Sequence, residues 1–274
     1  MTISQKINIT LNALFLLFNC LLLSSYTHAT PKTINIGADP WCPYNCDPEE
    51  QHHGIMVDVA RQAFALSGYK LNYQIINWAR AKQLVKNGNL DGIIGMARNP
   101  SSELLYYFSN TALGQSQVCL YRRSRDKWRF KSVNSLGQRS FGWINDYGFA
   151  NDPLDTWVKE RKHTKQITII AGEQTYQRLF KLLQVERIDT FAEDRNVIAY
   201  ELKKSGLGDE IKIAGCLSSI DNVHLAFSLE SKNKEVWAKA LESGVRKLRY
   251  SGQLNKILSV YGLNVENWLK STSD

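Results

Sequence analysis

One pattern occurs twice in the chain: an amphipathic helix, a turn, an aspartate and a short apolar strand. The first copy lies within Trp78–Arg98, where Asp91 precedes the apolar run Gly92–Met96. The second copy lies within Leu179–Asp194, where Asp189 precedes a similar run about a hundred residues later. Apolar residues at helical spacing, followed by a continuous apolar run, are typical of a helix that leads into a buried strand. The duplication therefore predicts two similar α/β lobes.

The first copy belongs to a β-loop-α-β-α-β order that begins with a predicted strand at Thr33–Ala38. A predicted helix over Ile55–Ser67 and a strand over Lys70–Ile76 precede the repeat, and Arg98–Asn110 is predicted to be irregular. Strands that alternate with helices are typical of a mainly parallel sheet covered by helices. The predicted fold class is therefore α/β.

The C-terminal segment does not continue the repeat. It contains a predicted strand, Val223–Ser228, and then helices that need a surface to cover. Ligands of open α/β sheets bind outside the carboxyl ends of the strands, so two facing lobes would form a cleft that closes on a small molecule. We therefore predict a discontinuous lobe 1 (30–112 and 220–274), an inserted lobe 2 (113–219), and a hinge where the chain crosses near 110–114 and 216–222.

The N-terminus has the features of a secretion signal. Lys6 precedes an apolar run, Leu11–Leu23, and Thr27-His28-Ala29 provides a small-residue cleavage site. The apolar run is shorter than the roughly twenty residues that a membrane-spanning helix needs. Residues 1–29 are therefore predicted to be a signal peptide that is cut after Ala29, which places the mature chain in the periplasm.

Four cysteines remain after this cleavage, and an even number in an oxidising compartment favours disulfides. Cys42 and Cys46 lie close together in a turn-rich loop and are predicted to form a local bridge. Cys119 and Cys216 either pair or stay as buried thiols, and the sequence leaves this open. A metal site that combines Cys42 and Cys46 with the adjacent histidines 52 and 53 is the weaker alternative, because this spacing matches no common zinc pattern.

The chain is basic, with a formal net charge of +8, and it contains the basic run Tyr121–Arg129. No nucleic-acid-binding motif accompanies this run, so we interpret it as a strand end followed by a solvated loop rather than as a nucleic-acid surface. The positive charge favours an anionic ligand or an acidic partner. No phosphate-binding loop or dinucleotide fingerprint is present, and no cofactor is predicted.

The same motif search argues against catalysis. Neither G-x-S-x-G nor H-E-x-x-H occurs, and these are the sequence signatures of common nucleophile and metal sites. Glu193-Asp194 is the strongest candidate for an acid/base pair. The prediction is a non-enzyme, with a lyase or dehydratase as an alternative.

Ordered motifs along the mature chain resemble family 3 extracellular solute-binding proteins, the periplasmic receptors of polar amino-acid ABC importers. In the first lobe they are Ile36–Tyr44, Gly54–Ala60, Trp78, Gly88–Gly92 and Phe108-Ser109. In the second lobe and the C-terminal segment they are Leu136-Gly137, Phe141–Trp143, Ile188-Asp189, Asp194, Arg249, Gly252 and Ile257.

This resemblance implies the type II periplasmic-binding-protein fold, with two α/β lobes joined by a two-strand hinge. It implies a monomeric receptor that closes around a small polar solute, such as an amino acid, and delivers it to the permease of an ABC importer. A ligand-sensing domain for a membrane signalling partner is the main alternative.

The resemblance also implies site residues. The family sandwiches the ligand side chain between aromatic rings at the positions of Trp41 and Trp78, and Tyr44 is a further candidate. Asp194 matches the residue that holds the ligand's α-ammonium group. Contacts are also expected from Asp39 in the first loop and from the loop that contains Tyr147, where backbone N–H groups could hold an anion.

One position departs from the family pattern. The family places an arginine that clamps the ligand's α-carboxylate at the position of Ser102, and a hydroxyl does not replace a guanidinium fork. Arg98 and Arg80 are the candidates to supply the missing charge. The sequence therefore leaves the identity of the ligand open.

Overall fold

The computed structural model describes residues 32–148 and 153–268, which form two β-sheets with helices packed against them. The predicted signal peptide lies outside these residues. The first sheet contains β1 (Lys32–Ala38), β2 (Tyr69–Ile75), β3 (Gly92–Ala97), β4 (Tyr106–Phe108), β5 (Gly114–Ser116) and β11 (Asp221–Ser228). The second contains β6 (Val118–Arg123), β7 (Phe141–Ile144), β8 (Ile167–Ile170), β9 (Thr190–Asp194) and β10 (Ile211–Cys216).

The α-helices alternate with the strands along much of the chain, as the α/β prediction requires. They are α1 (Ile55–Ala65), α2 (Trp78–Lys86), α3 (Pro100–Glu103), α4 (Pro153–Arg161), α5 (Thr175–Gln184), α6 (Arg195–Ser205), α7 (Lys234–Tyr250), α8 (Gln253–Ser259) and α9 (Val265–Trp268), and a 3-10 turn covers Val133–Leu136. None of the helices within the two described ranges is both long and apolar enough to cross a membrane.

Both sheets are mixed, which corrects the prediction of a mainly parallel sheet. In the first sheet the order is β2-β1-β3-β11-β4, with β5 also paired to β11. β1 and β3 are parallel, but β11 is antiparallel to β3, β4 and β5. The second sheet has the order β10-β6-β9-β7-β8, in which β7 is parallel to both neighbours and β6 antiparallel to both of its own. The sequence pattern did not predict the antiparallel pairs of the first sheet, because β11 pairs with β3 although the two strands are far apart in the sequence.

The duplicated pattern appears as two equivalent units, α2–β3 and α5–β9. In the first, the Asp91 Oδ2 atom accepts a hydrogen bond of 2.7 Å from the backbone N–H of Asn35 in β1. In the second, the Asp189 Oδ2 atom accepts one of 3.0 Å from the backbone N–H of Ser140, just before β7. Each aspartate thus fixes the register of its strand against the neighbouring parallel strand. The predicted repeat therefore has a physical function in both sheets.

The segment Arg98–Asn110 is ordered, and its prediction as irregular was wrong. Asn99 and Ser102 form a capping box at the start of α3, with Pro100 at the first helical position. The segment then returns as β4, which pairs with β11. The capping box was a readable start signal, whereas a three-residue strand is too short for a periodic pattern.

The basic run is a strand end followed by a solvated loop, as interpreted, since β6 ends within it and Arg125, Lys127 and Arg129 are exposed. Its first two arginines are nevertheless held by contacts within the fold. β6 continues to Arg123, and Arg122 is buried with its guanidinium donating to the backbone carbonyls of Arg123 and Ser124. Arg123 pairs with Asp189 at 3.0 Å. These charges are therefore used inside the second sheet and its adjoining turns.

Both pairs of cysteines form disulfides. Cys42 is joined to Cys46, as predicted. Cys119 in β6 is joined to Cys216 in β10, across two strands that pair directly at these residues. This answers the question that the sequence left open.

The strands of the first sheet come from 32–116 and 221–228, and those of the second from 118–216. The chain therefore leaves the first sheet just before residue 118 and returns to it just after residue 216. The division into two lobes at 112/113 and 219/220, and a hinge motion between them, stay predictions.

Candidate functional site

A cavity of about 380 Å³ is lined by residues from both sheets. Its volume lies in the range of small-molecule sites. The first sheet contributes residues from β3, from the loop after β1 and from the start of α2. The second contributes residues from the loop after β7 and from β9. The lining therefore includes the carboxyl ends of parallel strands, where open α/β sheets bind their ligands.

The structure brings both predicted tryptophans to this cavity. Trp41 stacks on Tyr44 with ring centroids 4.4 Å apart, and its indole N–H donates to Glu193 Oε1 at 3.1 Å. Trp78 meets Tyr147 edge to face with centroids 6.1 Å apart. Trp41, Trp78 and Tyr147 all line the cavity, whereas Tyr44 lies buried beneath Trp41. Three of the four predicted aromatic residues are thus available to a ligand.

Asp39 lines the cavity at the end of β1. Its Oδ2 atom accepts a hydrogen bond of 2.7 Å from the Tyr147 hydroxyl, which belongs to the other side of the cavity. Burial raises the pKa of Asp39 to about 7. The carboxyl group therefore sits where a ligand with an N–H donor would stabilise its charged form.

Asp194 lies outside the cavity lining. It is fully buried and caps α6, with Oδ1 accepting from the backbone N–H groups of Asn196 and Val197 at 2.8 and 3.0 Å. Its Oδ2 atom accepts from the backbone N–H of Gln117 at 3.0 Å. Burial raises its pKa to about 6. Both oxygens are therefore engaged within the chain, and a contact between Asp194 and the ligand's ammonium group stays a prediction.

Unlike the neighbouring Asp194, Glu193 does line the cavity, although its side chain is only 1% exposed. Its Oε1 atom accepts from the Asp194 backbone N–H at 2.7 Å and from Trp41 Nε1 at 3.1 Å. Burial raises its pKa to about 8. Sequence reasoning considered Glu193 only as half of an acid/base pair. Its position at the carboxyl end of a strand was the signal that pointed to a ligand site.

The predicted arginines do not line this cavity. Arg98 donates from Nε to Glu103 Oε1 at 2.6 Å and from Nη1 to Asn110 Oδ1 at 3.2 Å. Arg80 is exposed and lines a second cavity of about 920 Å³. Ser102 lines the first cavity, but its hydroxyl already serves the α3 capping box.

Lysines, rather than arginines, bring positive charge to the lining, and sequence reasoning missed them. Lys82 lies one helical turn after Trp78, a spacing that places both side chains on one face of α2. Its Nζ atom is 2.7 Å from Asp146 Oδ2. Lys159 on α4 also lines the cavity and forms no ion pair within the described parts of the chain.

Among the described residues that line the cavity, carboxyl groups nevertheless outnumber ammonium groups. The acidic residues of the lining are Asp39, Asp146, Asp155, Glu193 and Asp221, and the basic ones are Lys82 and Lys159. The local charge is therefore opposite in sign to the net charge of the whole chain. The formal charge of +8, which favoured an anionic ligand or acidic partner, does not describe the site.

The buried carboxyls make the stability of the unliganded protein depend on pH. The pKa values of Asp39, Asp194 and Glu193 are raised to about 7, 6 and 8. The folded state therefore keeps protons that the unfolded state has released. The free energy of unfolding is then highest below the ordinary carboxyl pKa and falls as the pH rises through the raised values.

Glu193→Gln removes one group that binds a proton in the folded state and releases it in the unfolded state. We expect it to reduce the loss of stability between pH 6 and pH 7 by about 1 kcal/mol. Urea unfolding across this range measures the effect. Glu103→Gln, at an exposed carboxylate on α3, is the control that keeps the wild-type slope. An equal slope in wild type and Glu193→Gln would contradict the raised pKa.

Comparison with known proteins identifies the class. The sequence model of bacterial extracellular solute-binding proteins, family 3, matches residues 34–264, so the chain belongs to this family. The resemblance inferred from the motifs is thereby confirmed, as is the type II periplasmic-binding-protein fold. A search of curated protein sequences finds no significant match.

Several solved structures share the fold. A histidine kinase sensor domain with similarity to periplasmic binding proteins superposes with a TM-score of 0.70 at 16% identity, covering 85% of this chain and 96% of its own. An arginine-specific periplasmic binding protein from Salmonella typhimurium gives 0.65 at 16% identity, covering 84% and 98%. A histidine-bound substrate-binding protein of an ABC uptake transporter from Streptococcus pneumoniae gives 0.68 at 18% identity, covering 85% and 94%. At these identities the likeness concerns the fold alone.

Proposed function

We propose that the chain is a periplasmic receptor that binds one small polar solute of amino-acid size and delivers it to the permease of an ABC importer. The observation that carries this proposal is the cavity itself, with Trp41 and Trp78 from one sheet facing Tyr147 and Glu193 from the other. Flat aromatic rings provide a large contact area at low entropic cost, and the carboxyl groups orient the solute through hydrogen bonds. Membership of the family and the predicted signal peptide support the location.

Closure on the solute would involve contacts that already cross the cavity. Trp41 donates to Glu193, Tyr147 donates to Asp39, and Lys82 pairs with Asp146. Each links a residue of the proposed lobe 1 with one of the proposed lobe 2. We propose that the lobes rotate about the crossings near 110–114 and 216–222. We also propose that a bound solute replaces these direct contacts with contacts from each lobe to the solute.

A thermal-shift screen over amino acids, small organic acids and polyamines tests the proposal, since a ligand that binds only the folded state raises apparent stability. Isothermal titration then measures affinity. An absence of any saturable binding across the screen would contradict the receptor function.

Trp78→Ala is expected to weaken binding of the solute found in that screen by about tenfold, because it removes one aromatic face from the cavity. The matched control is Tyr250→Ala, which removes an aromatic ring that is 83% exposed on α7. It leaves the affinity unchanged. Equal affinities of wild type and Trp78→Ala would show that the solute binds elsewhere.

A sensor function is the second candidate, because a histidine kinase sensor domain is among the structural neighbours. Deletion of the gene separates the two functions. Loss of solute uptake supports delivery to an importer. Loss of a transcriptional response to the solute, with uptake intact, supports a signalling partner. Turnover of the bound solute by the purified protein would favour the lyase alternative instead.

A further inference from the structure

We propose that Glu193 is the residue that selects the ligand, and that the solute carries a net positive charge. An ammonium or guanidinium group of the solute, other than an α-ammonium group beside a carboxylate, donates a hydrogen bond to Glu193 Oε2. This inference rests on the proposed receptor function and names the class of solute for the same cavity.

The argument begins with an incomplete set of hydrogen bonds. Both donors that reach the Glu193 carboxyl group, the Asp194 backbone N–H and Trp41 Nε1, bond to Oε1. The Oε2 atom is buried and has no hydrogen-bond partner in the described parts of the chain. A buried carboxyl oxygen without a hydrogen-bond partner costs free energy, and more when it is charged. A donor supplied by the ligand would remove this cost.

The surroundings determine that the donor should be a cation. The other charged groups that act on Glu193 are the carboxyls of Asp194 and Asp39, which disfavour its ionised form. No lysine or arginine of the described residues forms an ion pair with Glu193 or Asp39, and Lys82 is already paired with Asp146. Without a ligand the Glu193 carboxyl group keeps its proton, and a cation at Oε2 stabilises its ionised form, whereas a neutral N–H donor would leave the buried negative charge uncompensated.

The aromatic residues of the lining suit the same ligand. Trp41 donates a hydrogen bond to Glu193, and Trp78 faces the cavity from the start of α2. A cation placed near a tryptophan ring is stabilised by the quadrupole of the ring, and a guanidinium plane also stacks on it. The polar anchor and the aromatic faces therefore favour the same chemical group.

The experiment compares two solutes that differ mainly in charge. Arginine and citrulline have nearly the same shape, but the guanidinium of arginine is replaced by a neutral urea group in citrulline. We expect wild type to bind arginine at least tenfold more tightly than citrulline in isothermal titration. Agmatine and putrescine, which are cations without a carboxylate, should bind as well, and succinate should not.

Glu193→Gln keeps the shape of the side chain and removes its charge. We expect it to abolish the preference for arginine over citrulline. Glu193→Asp, which keeps the charge on a shorter side chain, should retain part of it. Glu201→Gln is the matched control, because Glu201 is also a buried glutamate but lines the second cavity. It should keep the full preference. Circular dichroism establishes that each variant is folded.

The outcomes separate this inference from the proposed function. If wild type binds citrulline as tightly as arginine, or prefers succinate, and Trp78→Ala weakens that binding, the receptor function stands and the cation inference is overturned. If Glu193→Gln keeps the wild-type preference for arginine, a different residue selects the cation and the assignment to Glu193 is overturned. If none of the cations binds at millimolar concentration, the inference fails.

Discussion

Replacing Cys119 and Cys216 together by serine is expected to lower the free energy of unfolding by about 4 kcal/mol. The disulfide joins residues 97 positions apart in the sequence and closes a loop that contains most of the second sheet. Such a loop greatly restricts the unfolded chain, so that losing the link returns much conformational entropy to the unfolded state. The two cysteines also lie opposite each other in the pair β6–β10, where Cys119 is buried and Cys216 is partly buried.

The second disulfide provides the matched comparison. Cys42 and Cys46 are only 4 positions apart, so the same entropic argument gives a loss of about 2 kcal/mol for the double serine variant. Urea unfolding of both variants and of the oxidised wild type measures the difference. Equal losses for the two double variants would show that the stabilisation does not come from loop closure.

Gly244→Ala is expected to lower the free energy of unfolding by about 3 kcal/mol, although alanine is the better helix former. Gly244 lies in the middle of α7, where α7 packs on α1. A Cβ atom at this position would lie 2.3 Å from the backbone carbonyl oxygen of Ala63. A backbone atom does not move aside by changing a rotamer, so the two helices would have to separate.

The sign of this effect makes the test decisive. Helix propensity alone predicts that Gly244→Ala stabilises the protein by about 1 kcal/mol. Chemical denaturation, followed by circular dichroism, distinguishes this outcome from the expected loss. Ser243→Ala at the neighbouring, partly exposed position controls for a general effect of alanine in α7. A stabilised Gly244→Ala variant would show that the close approach of α1 and α7 is not required.

The local signals in the sequence were sufficient for most elements of the fold. The repeated helix-aspartate-strand pattern predicted α2–β3 and α5–β9, because helical spacing and a continuous apolar run are properties of neighbouring residues. The glycine after α2 is a further local signal, because α2 ends at Lys86 and Gly88 has a φ of 75°, which favours glycine. The mixed direction of the strands was missed because strand pairing depends on residues far apart in sequence.

The candidate site was likewise predicted only in part. Trp41, Trp78, Tyr147 and Asp39 were predicted from the resemblance to the family, and the structure brings all four to one cavity. Arg98 was expected to bring positive charge to the ligand, but Glu103 and Asn110 lie within its reach and hold its guanidinium. Sequence spacing does not show which partner a long side chain will meet.

The amino-acid pattern alone determined the family and the two α/β repeats, because these follow from the order of motifs and from local periodicity. The resemblance to the family singled out three aromatic residues that line the cavity, Trp41, Trp78 and Tyr147. Only the folded chain decided which of two adjacent carboxyl groups faces the cavity. Asp194 is at the start of α6, where the free N–H groups of the first turn occupy its oxygens. Glu193 is one residue earlier in β9 and keeps one oxygen to which no described residue donates. That difference arises from where a strand ends and a helix begins in three dimensions.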